Sequence, residues 1–213
     1  MSIRSLALGT RRGHFVAFAT ALFVLLPVSL AGAACPLTPT KQAFAPWGDT
    51  AEYAQVPGGS FEQGGAGWTF ISANITAGND PFNVVSGRNS AALGSGWGSL
   101  AATAISPEFC VDKSHPYFRF MLKPQGAVGA LATFIIYRNT AGNLVRQILG
   151  SKIATNILPG NWRPSELNPL SVNIPLLEAG GTATVQLGFI SPLSFNGPAY
   201  FIDNVLVDPY RRG

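Results

Sequence analysis

Ala199-Tyr200-Phe201-Ile202-Asp203-Asn204-Val205-Leu206-Val207-Asp208-Pro209 is an apolar, strand-forming run with a carboxylate in its middle. Tyr, Phe, Ile and Val are the residue types that fit a pleated, half-buried surface. A second stretch, Pro57-Gly58-Gly59-Ser60-Phe61-Glu62 with Gly67-Trp68 after it, also sets an acid beside large apolar side chains. The two stretches bracket a β-rich sequence and read as a domain opened by one strand and closed by another. Working inward, Phe118, Phe120 and Leu122 alternate with Tyr117, Arg119 and Met121, and Ala183, Val185, Leu187 and Phe189 alternate with Thr182, Thr184, Gln186 and Gly188. Period two is the signature of a strand with one face buried. Residues 130–137 are apolar on both faces, as for a central strand, and 144–149 form a shorter candidate. The Asn139-Thr140-Ala141-Gly142-Asn143 turn between them predicts a hairpin. Further strands are expected over 68–76, 82–85, 99–105 and 199–207, separated by Gly- and Pro-rich breakers such as Gly78-Asn79-Asp80-Pro81. Helical turns are expected only near 165–167 and 176–179. Many short strands with regular turn signals define an all-β chain, a sandwich or jelly roll.

The first 34 residues read differently. Arg4, Arg11 and Arg12 form a basic leader, residues 15–26 are almost wholly apolar, and Ala31-Gly32-Ala33 is a small-residue cleavage pattern. Together they predict a signal peptide over 1–34 and a secreted or cell-surface protein with no membrane span after cleavage. The apolar run is shorter than the roughly 20 residues a helical span needs. The alternatives are an uncleaved anchor, twin-arginine export through Arg11-Arg12, and a lipid on Cys35. Of the 14 basic residues three lie in this leader and none of the 10 acidic ones does, so the chain from 35 onward carries only +1. Apart from Arg211-Arg212 it has no basic cluster, which argues against a nucleic-acid partner. The two cysteines, Cys35 and Cys110, read most simply as one disulfide in an exported protein; a lipidated Cys35 with a buried free Cys110 is the alternative. Residues 35–56 are expected to form an extended arm, held by the disulfide and by Phe44 and Trp47, and 57–213 the β-sandwich domain.

Chemistry is sparse. Only one histidine, His115, lies outside the leader, in a loop where an ordinary surface role is expected. There is no Gly-x-Ser-x-Gly elbow, Walker loop or dinucleotide fingerprint. Glu62 and Asp203 stand out because a carboxylate among apolar residues must be hydrogen-bonded, paired or bound to a metal. Three roles are open to them: accepting backbone amides, holding a structural Ca²⁺, and catalysis. Trp97, among Gly94-Ser95-Gly96 and Gly98-Ser99, and Trp162, beside Arg163-Pro164, sit in loops and are candidate ligand platforms. The plainer alternative for both is loop anchoring, and for Trp68 it is core packing. Asn74-Ile75-Thr76 matches the N-glycosylation sequon.

Gly59-Ser60-Phe61-Glu62, Gly67-Trp68 and Tyr200-Phe201-Ile202-Asp203-Asn204-Val205 resemble the opening and closing strands of the galactose-binding-like jelly roll shared by many carbohydrate-binding modules. That resemblance implies an antiparallel β-sandwich in which those strands lie side by side, with a structural calcium near Glu62 and Asp203. Asn204 stands where a second Asp is common. The chain also resembles a group of secreted actinobacterial proteins of unknown function, through Phe44-Ala45-Pro46-Trp47-Gly48-Asp49, Gly78-Asn79-Asp80-Pro81-Phe82, Ser106-Pro107-Glu108-Phe109-Cys110-Val111 and 202–213. The implied function is non-catalytic binding of a glycan or cell-envelope polymer. An envelope structural or protein-interaction domain is the alternative, and a glycoside hydrolase built on two carboxylates is a third reading.

Overall fold

In chain order the strands are β1 (Pro39–Lys41), β2 (Tyr53–Gln55), β3 (Thr69–Ile71), β4 (Ala73–Ala77), β5 (Asn89–Leu93), β6 (Thr103–Ile105), β7 (Phe109–Val111), β8 (Tyr117–Pro124), β9 (Leu131–Arg138), β10 (Leu144–Ile153), β11 (Arg163–Pro164), β12 (Asn168–Pro169), β13 (Ala183–Ile190) and β14 (Tyr200–Asp208). They come from a computed structural model that describes residues 35, 39–82, 84–85, 87–94, 101–112, 115–125, 130–139, 142–153, 160–170, 182–191 and 197–208. Every pairing among them is antiparallel. One eight-stranded and one six-stranded sheet result, an antiparallel β-sandwich of the expected jelly-roll class.

Both sheets are organised around one long strand. β14 pairs with β8 along one edge. Its other edge is shared by β5, against Tyr200–Ile202, and β2, against Leu206–Val207. In the second sheet β13 pairs with β9 on one edge, and β7 and β6 divide the other. Alternation sorts the side chains of the first sheet. Phe118, Phe120, Leu122, Tyr200, Ile202, Val205 and Val207 face the second sheet and form the main core with Val185, Leu187, Phe189 and Ile135. Trp68 belongs to that core: its ring packs edge-on to Phe61, and Nε1 donates to the Pro57 carbonyl at 2.9 Å.

A second, smaller core lies on the opposite, outer face of the first sheet. Met121 and Leu206 point outward there and are covered by Ala43, Phe44, Tyr53 and Val84. The expected arm is therefore built into the sheet. β1 and β2 form its edge hairpin, and residues 43–53 cross the outer face. A polar clamp holds it. Arg119 Nη1 donates to Asp49 Oδ2 at 2.5 Å, the Tyr53 hydroxyl donates to the same oxygen at 2.6 Å, and the guanidinium lies 4.5 Å from the Phe44 ring centroid. Burial alone would raise the Asp49 pKa; the Tyr53, Ala51 and Arg119 donors outweigh it and hold the carboxyl below its usual range. Cys35 and Cys110 form the expected disulfide, which leaves no thiol on Cys35 for a lipid.

Four sequence expectations change. The run over 68–76 is two strands in different sheets: Ser72, at φ 50°, turns the chain from β3 in the second sheet into β4 in the first. The stretch from Pro57 to Glu62 is a series of turns, because Gly58 and Phe61 adopt positive φ and break the extended run. Phe82, Val84 and Val85 lie in turns and bends rather than a strand, since Asp80 Oδ1 accepts the Phe82 amide and folds it into a turn. Residues 165–167 form no helix: the Ser165 amide donates to the Phe120 carbonyl at 2.8 Å, so the segment is fastened to β8. Among the described residues the one helical element is the 3-10 turn Ala45–Trp47. The 176–179 turn lies outside the described residues.

Candidate functional site

The closing strand carries both features that bear on function. The first is the buried polar knot around its bulge. Asn204 has φ 48°, and the register against β8 slips between Asp203 and Leu206. The bulge is fastened to the opening segment: the Val205 amide donates to the Gly59 carbonyl at 2.9 Å, and Val56 donates to the Val205 carbonyl at 3.0 Å. The two stretches the resemblance placed side by side are thus adjacent. Asp203 is fully buried. Its Oδ1 accepts the Asn204 amide at 2.7 Å and its Oδ2 accepts the Asp80 amide at 3.4 Å. Asp80, also buried, accepts from Asn204 Nδ2 at 2.6 Å. Burial pushes the Asp203 carboxyl up to about 8; the two amides pull it down, and the charges of Asp80 and Glu62 add to the rise.

Glu62 is employed differently. Its Oε1 accepts the backbone amides of Arg88 and Asn89 at 2.7 and 2.8 Å. Gly87, at φ 138°, gives that carboxylate room, because a Cβ there would overlap it. Glu62 is thus the amide acceptor that a carboxylate among apolar residues can be. Asp203 is the desolvated acid facing another acid. Among the described residues no group of three or more His, Cys, Asp or Glu is placed to hold a metal ion. Two carboxylates and an amide do converge, and Asn204 Oδ1 is a buried oxygen with no hydrogen-bond donor. Hard oxygens of this kind fit a calcium-like cation.

The second feature is a transverse row on the outer face, beside the arm. Cross-strand neighbours share a face. Asn74 pairs with Ala92, Ala92 with Phe201, and Phe201 with Lys123. Since Tyr200 and Ile202 enter the core, Phe201 points outward, half-exposed. Trp162 extends the row just before β11: its ring is half-exposed, 6.5 Å from the Phe201 centroid. Lys123 Nζ lies 5.5 Å from the same centroid. At about 4.8 Å per strand spacing, Asn74 to Lys123 spans about 14 Å. A neighbouring aromatic pair, Trp47 and the 50% exposed Phe82, meets edge-on at 4.8 Å.

Trp162 therefore sits in an aromatic cluster, whereas Trp97 lies outside the described residues. Phe201, Lys123 and Phe82 escaped the sequence reading. Phe201 had a signal, since it alternates with two core residues, but its partners on the face come from distant strands. Asp80 was read as part of a turn, and its contact with Asp203 spans 123 positions. His115 is not the surface residue expected. It is buried beside Asp112, its Nδ1 lying 3.0 Å from Asp112 Oδ1.

No family model and no curated protein matches the chain. Solved structures do. The enzymatically active domain of bacteriophage CBA120 tailspike protein 4 matches 72% of this chain at 17% identity and TM-score 0.50. This chain spans only 21% of that one's length. TmCBM61, solved in complex with beta-1,4-galactotriose, matches at 14% identity and TM-score 0.39, over 71% of this chain and 94% of its own. CBM28, a module specific for non-crystalline cellulose, matches at 13% identity and TM-score 0.42, over 72% of this chain and 94% of its own. Of these three, the tailspike domain reaches a TM-score of 0.50, and that likeness carries the fold alone. Among the described residues no helix is long and apolar enough to cross a membrane.

Proposed function

We propose that this protein is a secreted, non-catalytic binding module whose ligand is a glycan or cell-envelope polymer. The observation that carries the reading is the row Trp162, Phe201, Lys123 on the outer face of the larger sheet. Half-exposed aromatic rings offer flat faces for sugar rings, and a lysine and an asparagine on the same level offer polar contacts. Trp97 remains a proposed second platform. The paired acids give the hydrolase reading no support. Asp80 and Asp203 are both buried, Asp203 accepting the Asp80 amide and Asp80 accepting from Asn204 Nδ2, whereas glycoside hydrolysis needs carboxyls flanking a sugar.

The test is binding to a glycan array and to insoluble cell-wall polysaccharides, comparing wild type with Trp162→Ala, Phe201→Ala and Trp97→Ala. Loss of binding in Trp162→Ala and Phe201→Ala, with unchanged melting, supports the site. Binding to no glycan by the wild type sinks the reading. A calcium ion is proposed for the polar knot, held by Asp203 and Asp80 with Asn204 Oδ1, and with Glu62 adding negative charge nearby. It would neutralise a buried cluster of acids and fix the bulge. That role is structural.

A further inference from the structure

The bridge at Cys35 brings more than a sulfur to the body of the domain. Cys35 is buried, and its backbone N–H points at Asp112 Oδ2, 3.5 Å away. Asp112 follows Cys110 by two residues, just past the end of β7, which brings the carboxylate close to the bridging sulfur in sequence. The other carboxylate oxygen, Oδ1, lies 3.0 Å from His115 Nδ1. The His115 amide donates to the Asp112 carbonyl at 3.1 Å, which holds His115 beside Asp112. Burial lowers the His115 pKa, more strongly than Asp112 raises it, and His115 Nδ1 accepts the Asp112 backbone N–H at 3.2 Å.

In the sequence, Cys35 follows Gly32-Ala33-Ala34, and small residues before a cut are the mark of leader processing. Two cuts fit those residues, after Ala33 and after Ala34. We propose that the processed chain begins at Cys35 and that the Asp112 carboxylate, with His115 beside it, is the seat for its new α-ammonium group. The step is hydrolysis by a leader peptidase. The bond from the Ala34 carbonyl carbon to the Cys35 nitrogen breaks, and water supplies the hydroxyl to carbon and the proton to nitrogen. At 3.5 Å a peptide N–H makes only a long contact with the carboxylate. Cleavage replaces it with three donors and a positive charge at the same atom. An α-amino group has an ordinary pKa of about 7.7–8.0, so it is largely charged at neutral pH. Hydrogen bonds between charged partners are about twice as strong as neutral ones. A cut one residue earlier leaves an amide at Cys35 and moves the charge about 3.8 Å along the chain. The carboxylate thus distinguishes the two cuts.

The full chain is expressed with its leader, and the exported protein is read by N-terminal sequencing and intact mass. The expected first residue is Cys35; Ala34 or any other start overturns the proposal. A second measurement does not depend on export. Four oxidised proteins, starting at Cys35 or at Ala34 and carrying Asp112 or Asp112→Asn, are released from a tag and melted, with thiol titration confirming the bridge. Asp112→Asn is expected to cost about 2–4 °C more in the chain that starts at Cys35. Equal losses in both chains would mean that Asp112 serves only His115, and the seat would be withdrawn.

Discussion

Replacing Asp203 by Asn turns the polar knot into a measurable pH dependence. The folded carboxyl sits at about 8, against 3.8 for the ordinary group, chiefly because it is buried. Between those two values the folded chain holds a proton that the unfolded chain has released. Stability from this group is therefore complete below pH 4, falls as pH rises, and is fully lost above pH 8. The slope approaches about 1.4 kcal/mol per pH unit, with a ceiling of about 6 kcal/mol across the window. Asn removes the titration. It also loses the acceptor for the Asp80 amide, a weak contact at 3.4 Å whose loss costs about 1 kcal/mol. Urea unfolding in EDTA, at half-unit steps from about pH 3.5 to 9, should give curves that cross near about pH 4.5. The wild type is the more stable near pH 3.5 and Asp203→Asn the more stable near pH 8.5. Parallel curves would refute the argument, because they would place the pH dependence in other groups.

Adding millimolar calcium at pH 8 should raise the wild-type midpoint and leave Asp203→Asn unmoved; an equal shift in both would place the ion elsewhere. Trp162→Ala should weaken glycan retention about 10-fold or more on an affinity gel, the scale of losing one stacked aromatic contact, with the melting temperature nearly unchanged. Arg119→Met strands Asp49 beneath the arm and should cost about 2–4 kcal/mol, discounted from the loss for a fully buried pair; limited proteolysis should then cut within 42–52 first. Gly188→Ala should destabilise by about 1–3 kcal/mol, because the Phe134 ring lies flat across Gly188 and a Cβ would overlap it. Chemical denaturation reads that loss, and a neutral result would mean that the ring swings aside freely.

The long strands were the legible part. β8, β13 and the β9–β10 hairpin follow from alternation and one turn, since each is a local pattern. Ser72 shows what alternation misses. The residues on both sides of it are strand-forming, and only the αL turn at Ser72 sends them into different sheets. The arm's place in the sheet was likewise hidden, because Ala54 and Gln55 meet their β14 partners far along the chain, at 206–207. At the site, Glu62 and Asp203 looked alike as sequence: acids among apolar neighbours. Their fates divide on what lies across the fold, two amides for one and a second acid for the other. The Trp162–Phe201–Lys123 row depends on the register of three chain segments, which no single segment encodes.

The strand at the centre of the larger sheet is also the last one made. β14 supplies partners to β2, β5 and β8, which are complete in sequence long before residue 200. A growing chain therefore cannot close that sheet until residues 200–208 emerge, and the pairing of β2 with β14 joins residues roughly 150 positions apart, a slow kind of topology. Until then β2, β5 and β8 have open edges and their apolar faces are uncovered, the state in which a nascent chain depends most on whatever shields it. Folding of this domain is timed by its own completion.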